Sequence, residues 1–190
     1  SVAMVGAGKE ARNGIAYTLS QQKPSGALEV LSPQYYKENG IVLWTCVRHA
    51  MLMQDKKWLE SVWPKLEGAA GYIKRLRQRS FEDDTPLNDG LNPPGEIDGG
   101  LSGHRTGFER SELSNVHWNL LGLRAFVQAA HWLGKNDSAA RWQKEYDDLY
   151  ATFRKAAARD TLKDGNGNAY VPIFMANEGN ELPQRAQWTF

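Results

Sequence analysis

The sequence predicts an all-α protein of antiparallel helical hairpins, and three observations support this fold class. Apolar residues recur at every third or fourth position along four segments, as in helices that bury one side. Short connections alternate with long ones, and short connections force neighbouring helices to run antiparallel. Strand-like patterning is confined to 169–174, which we expect to form a short strand after the turn at 164–168.

Each of the four segments carries one apolar stripe. In chain order the stripes are Val42, Cys46, His49 and Met53; Leu59, Val62, Leu66, Ala69, Ile73 and Leu76; Leu113, Val116, Leu120, Leu123, Val127 and Ala130; and Ala139, Trp142, Tyr146, Leu149 and Phe153. A fifth helix with weaker support is expected at about 11–21. We expect Pro64 near the start of its helix, Gly134 to end the third segment, and Asp137 and Ser138 to cap the fourth.

The connections predict where a functional site lies. Residues 54–57 and 134–137 form the tight joins, whereas about 22–40, 80–111 and 159–190 form the long ones. In an antiparallel array alternate joins fall at opposite ends, so the long loops gather at one end. Loops longer than about 12–15 residues are usually functional or disordered. We therefore expect a site at the end of the bundle where the long loops meet.

Composition excludes several classes of protein. The chain has 23 Lys+Arg against 22 Asp+Glu, which argues against a nucleic-acid binder that neutralises many phosphates. The longest apolar run, 41–44, is far shorter than the roughly 20 residues that span a membrane. The four histidines lack the paired spacing of metal ligands, and no phosphate-binding or dinucleotide-binding motif occurs. We therefore expect no metal, cofactor, nucleic acid or membrane partner.

Two acids in the long loop 80–111 are the candidates for catalysis. Glu96 and Asp98 lie between the stiff segment 93–95, Pro-Pro-Gly, and a pair of glycines at 99–100. A carboxylic acid held on a rigid loop is what general-acid catalysis at a glycosidic oxygen requires. The alternative is a solvated surface loop whose acids keep the protein soluble.

The start of the third helical segment offers residues suited to sugar binding. Glu112, Asn115 and Trp118 are spaced three apart and share one face of the first two turns. Asn and Glu bind hydroxyl groups, and Trp stacks on the apolar face of a sugar ring. The alternative is a helix start capped by Ser111 or Ser114, with Trp118 packed in the core.

The first clear helix repeats this pattern with Trp44, Arg48 and His49. A buried histidine with a hydrogen-bond partner is the structural alternative for His49. Arg105, in the acidic loop, is expected to pair with carboxylates or with substrate. The chain also contains seven Trp, seven Tyr and six Phe, so either its core is rich in aromatic rings or these rings bind a flat apolar ligand.

Several segments together resemble the six-hairpin glycosidases, which are (α/α)6-toroid glycoside hydrolases. The resembling segments are the turn QDKKWL with VWPKL (54–59 and 62–66), the loop DGLNP (89–93), the helix WNLLGL (118–123) with AA (129–130) and LG (133–134), and YVP (170–172). The resemblance covers about residues 10–190. It implies inverting hydrolysis of a glycosidic bond, with the acid on a loop that enters a middle inner helix. Glu96 is then the first candidate for the acid and Asp98 the second.

Two departures from that family change the expectation. Asn115 stands where many relatives carry Asp at the start of the inner helix. Four helices occupy about 41–158, so twelve would need roughly 350 residues, and the chain 1–190 forms one partial domain of about two and a half hairpins. The late hairpin that supplies the catalytic base in relatives is not present.

A partial array exposes apolar flanks, so we expect either a fragment of a longer enzyme or a homo-oligomer, most simply a dimer. Two other classes of function stay open. One is a non-catalytic helical module that binds carbohydrate or protein at the same end, and the other is a sugar epimerase or lyase with a pair of histidines in the cleft. The sequence does not define the compartment, although polysaccharide hydrolases of this type are often exported to the periplasm or secreted.

Overall fold

The computed structural model describes residues 2–82, 86–96 and 109–176, and most of them are helical. The helices are α1 (Gly8–Ser20), α2 (Glu38–Met53), α3 (Lys56–Arg79), α4 (Leu113–Trp132) and α5 (Asn136–Asp160), with short 3-10 turns at Val2–Val5 and Pro86–Asn88. Two antiparallel ribbons join β1 (Gly95–Glu96) to β2 (Glu109–Arg110) and β3 (Leu162–Lys163) to β4 (Ala169–Tyr170). The predicted all-α fold class is confirmed, whereas membership of a toroid stays a prediction. None of the described helices is long and apolar enough to cross a membrane.

The helices form two layers. The parallel helices α2 and α4 pack on each other and are buried over most of their surface. The long helices α3 and α5 each return antiparallel to the helix before them, and ion pairs join Glu67 to Arg141 and Arg77 to Glu145 across them. Helix α1 packs against α2. Lys65 of α3 donates to the carbonyl oxygen of Leu19 in α1 at 2.9 Å.

Two glycines allow α2 and α4 to cross at backbone contact. A Cβ atom added to Gly40 would lie 2.1 Å from the carbonyl oxygen of Trp118, and one added to Gly122 would lie 2.5 Å from the carbonyl oxygen of Gly40. No real side chain fits at such distances, so the crossing requires glycine at both positions. The crossing also sets Trp44 of α2 beside Trp118 of α4.

The tight turns at one end of the bundle have definite capping contacts. Asp55 accepts a hydrogen bond from the backbone N–H of Trp58 at 3.0 Å and so caps α3. Gln54 and Gly134 adopt left-handed backbone angles, with φ of 52° and 70°, directly after α2 and just beyond α4. The prediction that Gly134 ends its helix is therefore confirmed.

Two local predictions at helix starts are wrong, and so is the alternative of a serine cap on α4. Helix α5 begins at Asn136 without a side-chain cap, because Ser138 lies inside the first turn and donates to Glu67 instead. Helix α4 has Glu112 in the capping position, again without a side-chain capping bond. Pro64 lies inside α3, which begins eight residues earlier, so its missing N–H removes a bond from the helix interior.

The core fills the space between the two layers. Trp63 of α3 stacks on Phe126 of α4 with ring centroids 4.4 Å apart, and Trp142 of α5 packs on the same ring at 5.9 Å. Cys46 is a free, fully buried thiol, and burial raises its pKa to about 12. This confirms the interpretation of Cys46 as a core residue.

Candidate functional site

The long connections meet at one end of the bundle, as the alternation of loop lengths predicted. The backbone N–H of Glu96 donates to the carbonyl oxygen of Gln34 at 3.1 Å, which joins the loop before α4 to the loop before α2. The N–H of Met175 donates to the carbonyl oxygen of Ser111 at 2.8 Å, so the segment after α5 covers the start of α4. We call this region the loop end, because the long connections meet there beside the first turns of α2 and α4.

An aromatic pair lies on the open face that α2 and α4 share. The rings of Trp44 and Trp118 meet edge to face, with centroids 6.2 Å apart and an interplanar angle of 74°. Trp44 is 38% exposed and Trp118 is half-buried. Arg48, one turn beyond Trp44, is exposed, and its side chain makes no hydrogen bond or ion pair among the described residues. The structure thus brings these three predicted residues together.

A groove of about 740 Å³ runs beside α2, between α1 and the loop that precedes α2. Its lining is mainly apolar and includes Ile15, Val30, Leu31, Ile41, Trp44 and Leu52. Its polar lining includes Glu38 near the loop end and Arg48 and His49 toward the other end. The volume lies within the roughly 300–1,000 Å³ of small-molecule pockets.

Glu96 is half-buried at the loop end. The hydroxyl of Ser32 donates to its carboxylate, and the short pairing of β1 with β2 sets Glu96 opposite Glu109. These contacts hold the backbone and one carboxylate oxygen of Glu96, as expected for an acid on a stiffened loop. Asp98 and Arg105, the other predicted residues of this loop, lie outside the described residues.

A second carboxylate at the loop end, Glu38, was not predicted from the sequence. Its two oxygens accept hydrogen bonds from the backbone N–H groups of Val30 at 2.8 Å and Leu31 at 2.9 Å. Burial raises the pKa of Glu38, these two bonds oppose that rise, and the charges of Glu29 and Glu96 add to it. Glu38 and Glu96 are therefore close enough to interact electrostatically.

Glu112 takes part in a buried ion pair. The Nζ of Lys37, directly before α2, lies 3.2 and 3.4 Å from its two oxygens, and both side chains are at most 3% exposed. Ser114 lies 2.5 Å from each partner, and the Lys37 ammonium also sits over the ring of Tyr35 at 4.7 Å. The pair joins the starts of α2 and α4, so Glu112 lies beneath the open face.

Asn115 also lies beneath this face, since only 2% of it is exposed. Its Oδ1 has no hydrogen-bond partner among the described residues, and Asn115 lines a small cavity behind the loop. Asn115 and Glu112 are therefore buried, whereas Trp118 is half-buried, although the three share a helix face by spacing.

His49 lies at the opposite end of the groove, near the tight turn. Its Nε2 accepts a hydrogen bond from Arg12 at 3.3 Å, and Arg12 also pairs with Asp55 at 2.8 Å. The ring meets Trp58 edge to face at 5.0 Å. Burial lowers the pKa of His49, the charge of Arg12 lowers it further, and Asp55 opposes both. These contacts match the structural alternative of a buried histidine with a partner.

No family model matches the chain, and no curated protein is significantly similar to it. Within the described residues, no group of three His, Cys, Asp or Glu side chains is arranged to hold a metal ion. Because neither comparison found a match, the resemblance to six-hairpin glycosidases stays a prediction.

Proposed function

We propose that the protein is a glycoside hydrolase that acts on oligosaccharides or polysaccharides at its loop end. The observation that carries this proposal is the contact between Trp44 and Trp118, one turn from Arg48, in a bundle whose loop end holds Glu96. Aromatic rings, a guanidinium without a partner among the described residues and a carboxylic acid are the groups that sugar binding and glycoside cleavage require.

Sugar binding is assigned to the aromatic pair and the arginine. The exposed part of Trp44 offers a flat apolar surface for the C–H face of a pyranose ring, and the edge contact with Trp118 fixes its orientation. Arg48 supplies several N–H donors in a fixed plane for hydroxyl oxygens. The groove beside α2 gives a chain of sugar units room to continue past this point.

Catalysis is assigned to Glu96 as the general acid. The Glu96 carboxylic acid donates its proton to the glycosidic oxygen as the bond from that oxygen to the anomeric carbon breaks. A water molecule attacks the anomeric carbon from the opposite face and gives its proton to a second carboxylate. Asp98 is the second candidate for the acid, and the base is expected from a separate hairpin. Glu112 and Asn115 act indirectly, by fixing the start of α4.

A screen for hydrolysis tests this proposal. The purified protein is incubated with aryl-glycosides and oligosaccharides, in parallel with Glu96→Gln and Asp98→Asn. We expect one of the two variants to lose at least about 100-fold in kcat, as for removal of a general acid. The matched control is Glu60→Gln, an exposed glutamate of α3, which should keep full activity. Equal activity in all four proteins would refute the assignment.

A non-catalytic carbohydrate-binding module is the second candidate, and one observation favours it. The carboxylates of Glu38 and Glu112 are both occupied, by backbone N–H groups and by Lys37, so neither faces Glu96 as a free base. Binding of oligosaccharide without any hydrolysis, in a folded protein, would select this function.

A further inference from the structure

A small cavity lies where three chain segments meet behind the loop end. It is lined by residues of the loop 88–93, of the start of α4 at 111–116, and by Met175, and it has a volume of about 10 Å³. Leu91, Pro93, Val116 and Met175 form its apolar walls. The cavity is separate from the open face and from the groove beside α2.

Three asparagines that line this cavity carry buried polar atoms without hydrogen-bond partners among the described residues. Asn88, Asn92 and Asn115 are 0%, 4% and 2% exposed. Among the described residues the Oδ1 atoms of all three have no hydrogen-bond partner, and neither has the Nδ2 of Asn92. Burying a polar group without a partner is unfavourable, so four such atoms on side chains that line one cavity indicate a bound polar molecule.

The atoms define the chemistry of that molecule. It must accept a hydrogen bond from an N–H group of Asn92 and donate to Oδ1 oxygens, which a single water molecule does. A metal ion would satisfy the oxygens but would face the N–H dipole of Asn92, and it would lie near the ammonium of Lys37 beside Glu112. The volume matches the roughly 10–15 Å³ that one water requires.

We propose that this cavity binds one ordered water molecule, which ties the loop 88–93 to the first turn of α4. Asn92 donates to it, and the water donates to two Oδ1 oxygens, one of them on Asn115. The loop is already fixed on its other side, where Arg77 donates to the carbonyl oxygen of Gly90 at 2.7 Å. The water completes the anchorage of the segment that leads to Glu96, and its presence does not depend on the proposed hydrolysis.

A crystal structure of the protein at better than about 1.8 Å tests the occupancy. We expect one density peak between Asn92 and Asn115, at about 2.7–3.2 Å from the Asn92 Nδ2 and from two Oδ1 atoms. Three results would each overturn the proposal: an empty cavity, asparagines that bond directly to one another, or a peak with contacts below about 2.6 Å, typical of a metal ion. The unmodified protein is sufficient for this test.

A variant then tests what the water does. Asn92→Leu removes both unpaired groups of that residue, and we expect it to lose the water and to speed amide hydrogen exchange in 88–96 by at least about tenfold. The matched control Asn136→Leu, at an exposed asparagine of α5, should leave exchange in 88–96 unchanged. Unchanged exchange in Asn92→Leu, or an equal change in the control, would show that the water does not anchor this loop.

Discussion

Lys37 and Glu112 place two full charges in the interior at the point where α2 and α4 begin. Such a pair offsets its cost of desolvation only while both partners are present. Glu112→Gln would remove the carboxylate that lies 3.2 Å from this ammonium, and we expect it to lower the free energy of unfolding by about 3–5 kcal/mol. Chemical denaturation measures this change.

The double variant Lys37→Met, Glu112→Leu is the control for that interpretation. It removes both charges and keeps an apolar filling of similar size, so it should recover most of the stability lost in Glu112→Gln. If both proteins lose the same amount, the loss comes from packing or from Ser114 and not from the buried charge of Lys37.

His49 predicts a pH dependence of stability. Its pKa is lowered in the folded protein, so the unfolded chain binds more protons near pH 6 and stability rises with pH. The contribution of His49 is therefore complete above about pH 6.5 and is lost as the pH falls below that value. Protonation also removes the acceptor for Arg12. We expect this slope in the free energy of unfolding to be weaker in His49→Gln.

The free energy of unfolding of His49→Gln is subtracted from that of the parent at each pH, because other groups also titrate. His117 has a lowered pKa and adds a slope of the same sign, whereas the raised pKa of Glu38 gives the opposite sign above about pH 4.5. Both are common to parent and variant. A difference that stays constant from pH 7.5 to 5 would contradict the assignment to His49.

Among individual residues, the sequence predicted the positions of those on the open face better than the positions of the buried polar groups. Trp44 and Arg48 are four apart on one helix, so periodicity alone places them together. Lys37 and Glu38 precede the first apolar residue of the stripe in α2, so the apolar pattern does not include them. Their roles depend on partners 75 and 8 positions away in the chain, Glu112 and Val30, which no local pattern indicates.

Among the helices, the crossing of α2 and α4 makes a sharp prediction. Gly40→Ala and Gly122→Ala each force a Cβ atom into backbone of the facing helix. We expect each to cost at least about 1–3 kcal/mol of unfolding free energy, since neither backbone can move without separating the layers. Thermal or urea unfolding measures the cost.

Gly14→Ala in α1 is the matched control for these variants. A Cβ atom there meets nothing within 4 Å, so the better helix propensity of alanine should stabilise the protein by about 0.5–1 kcal/mol. Stabilisation by Gly40→Ala similar to that of the control would mean that the two helices are farther apart than described.

The existence and order of the helices could be predicted because their apolar stripes persist over about three to five turns. Their starts could not be predicted as well. Ser111 and Ser138 are good capping residues by type, yet the path of the chain places one before the cap and the other inside the helix. The glycine crossing also escaped prediction, because Gly122 alone does not reveal which helix it contacts.

For the whole molecule, the flank beside α1 leads us to propose self-association, as predicted for a partial array. Four apolar side chains there are largely exposed: Met4, Val5, Tyr17 and Leu31, at 69, 82, 64 and 77%. Large exposed apolar patches are typical of interfaces, and we propose that these side chains contribute to one. We expect a homodimer at micromolar concentration, measured by sedimentation equilibrium.

Tyr17→Glu tests the location of that interface. A charge on the α1 flank should raise the dimer dissociation constant at least tenfold, whereas Tyr150→Glu, at a partly exposed tyrosine of α5, should not change it. A parent protein that sediments as a monomer, or two variants that dissociate alike, would contradict dimerisation through α1.

Calorimetric titration with oligosaccharides tests most directly whether the open face of α2 and α4 binds sugar. Hexasaccharides of glucose, mannose, xylose and N-acetylglucosamine are titrated into the parent, Trp44→Ala and Trp132→Ala. Trp132, at the far end of α4, controls for loss of a tryptophan. We expect binding of at least one sugar, weakened about tenfold or more in Trp44→Ala, equivalent to about 1.4 kcal/mol, and unchanged in Trp132→Ala. Absence of binding in the folded parent, or equal weakening in both variants, would contradict a sugar site at Trp44.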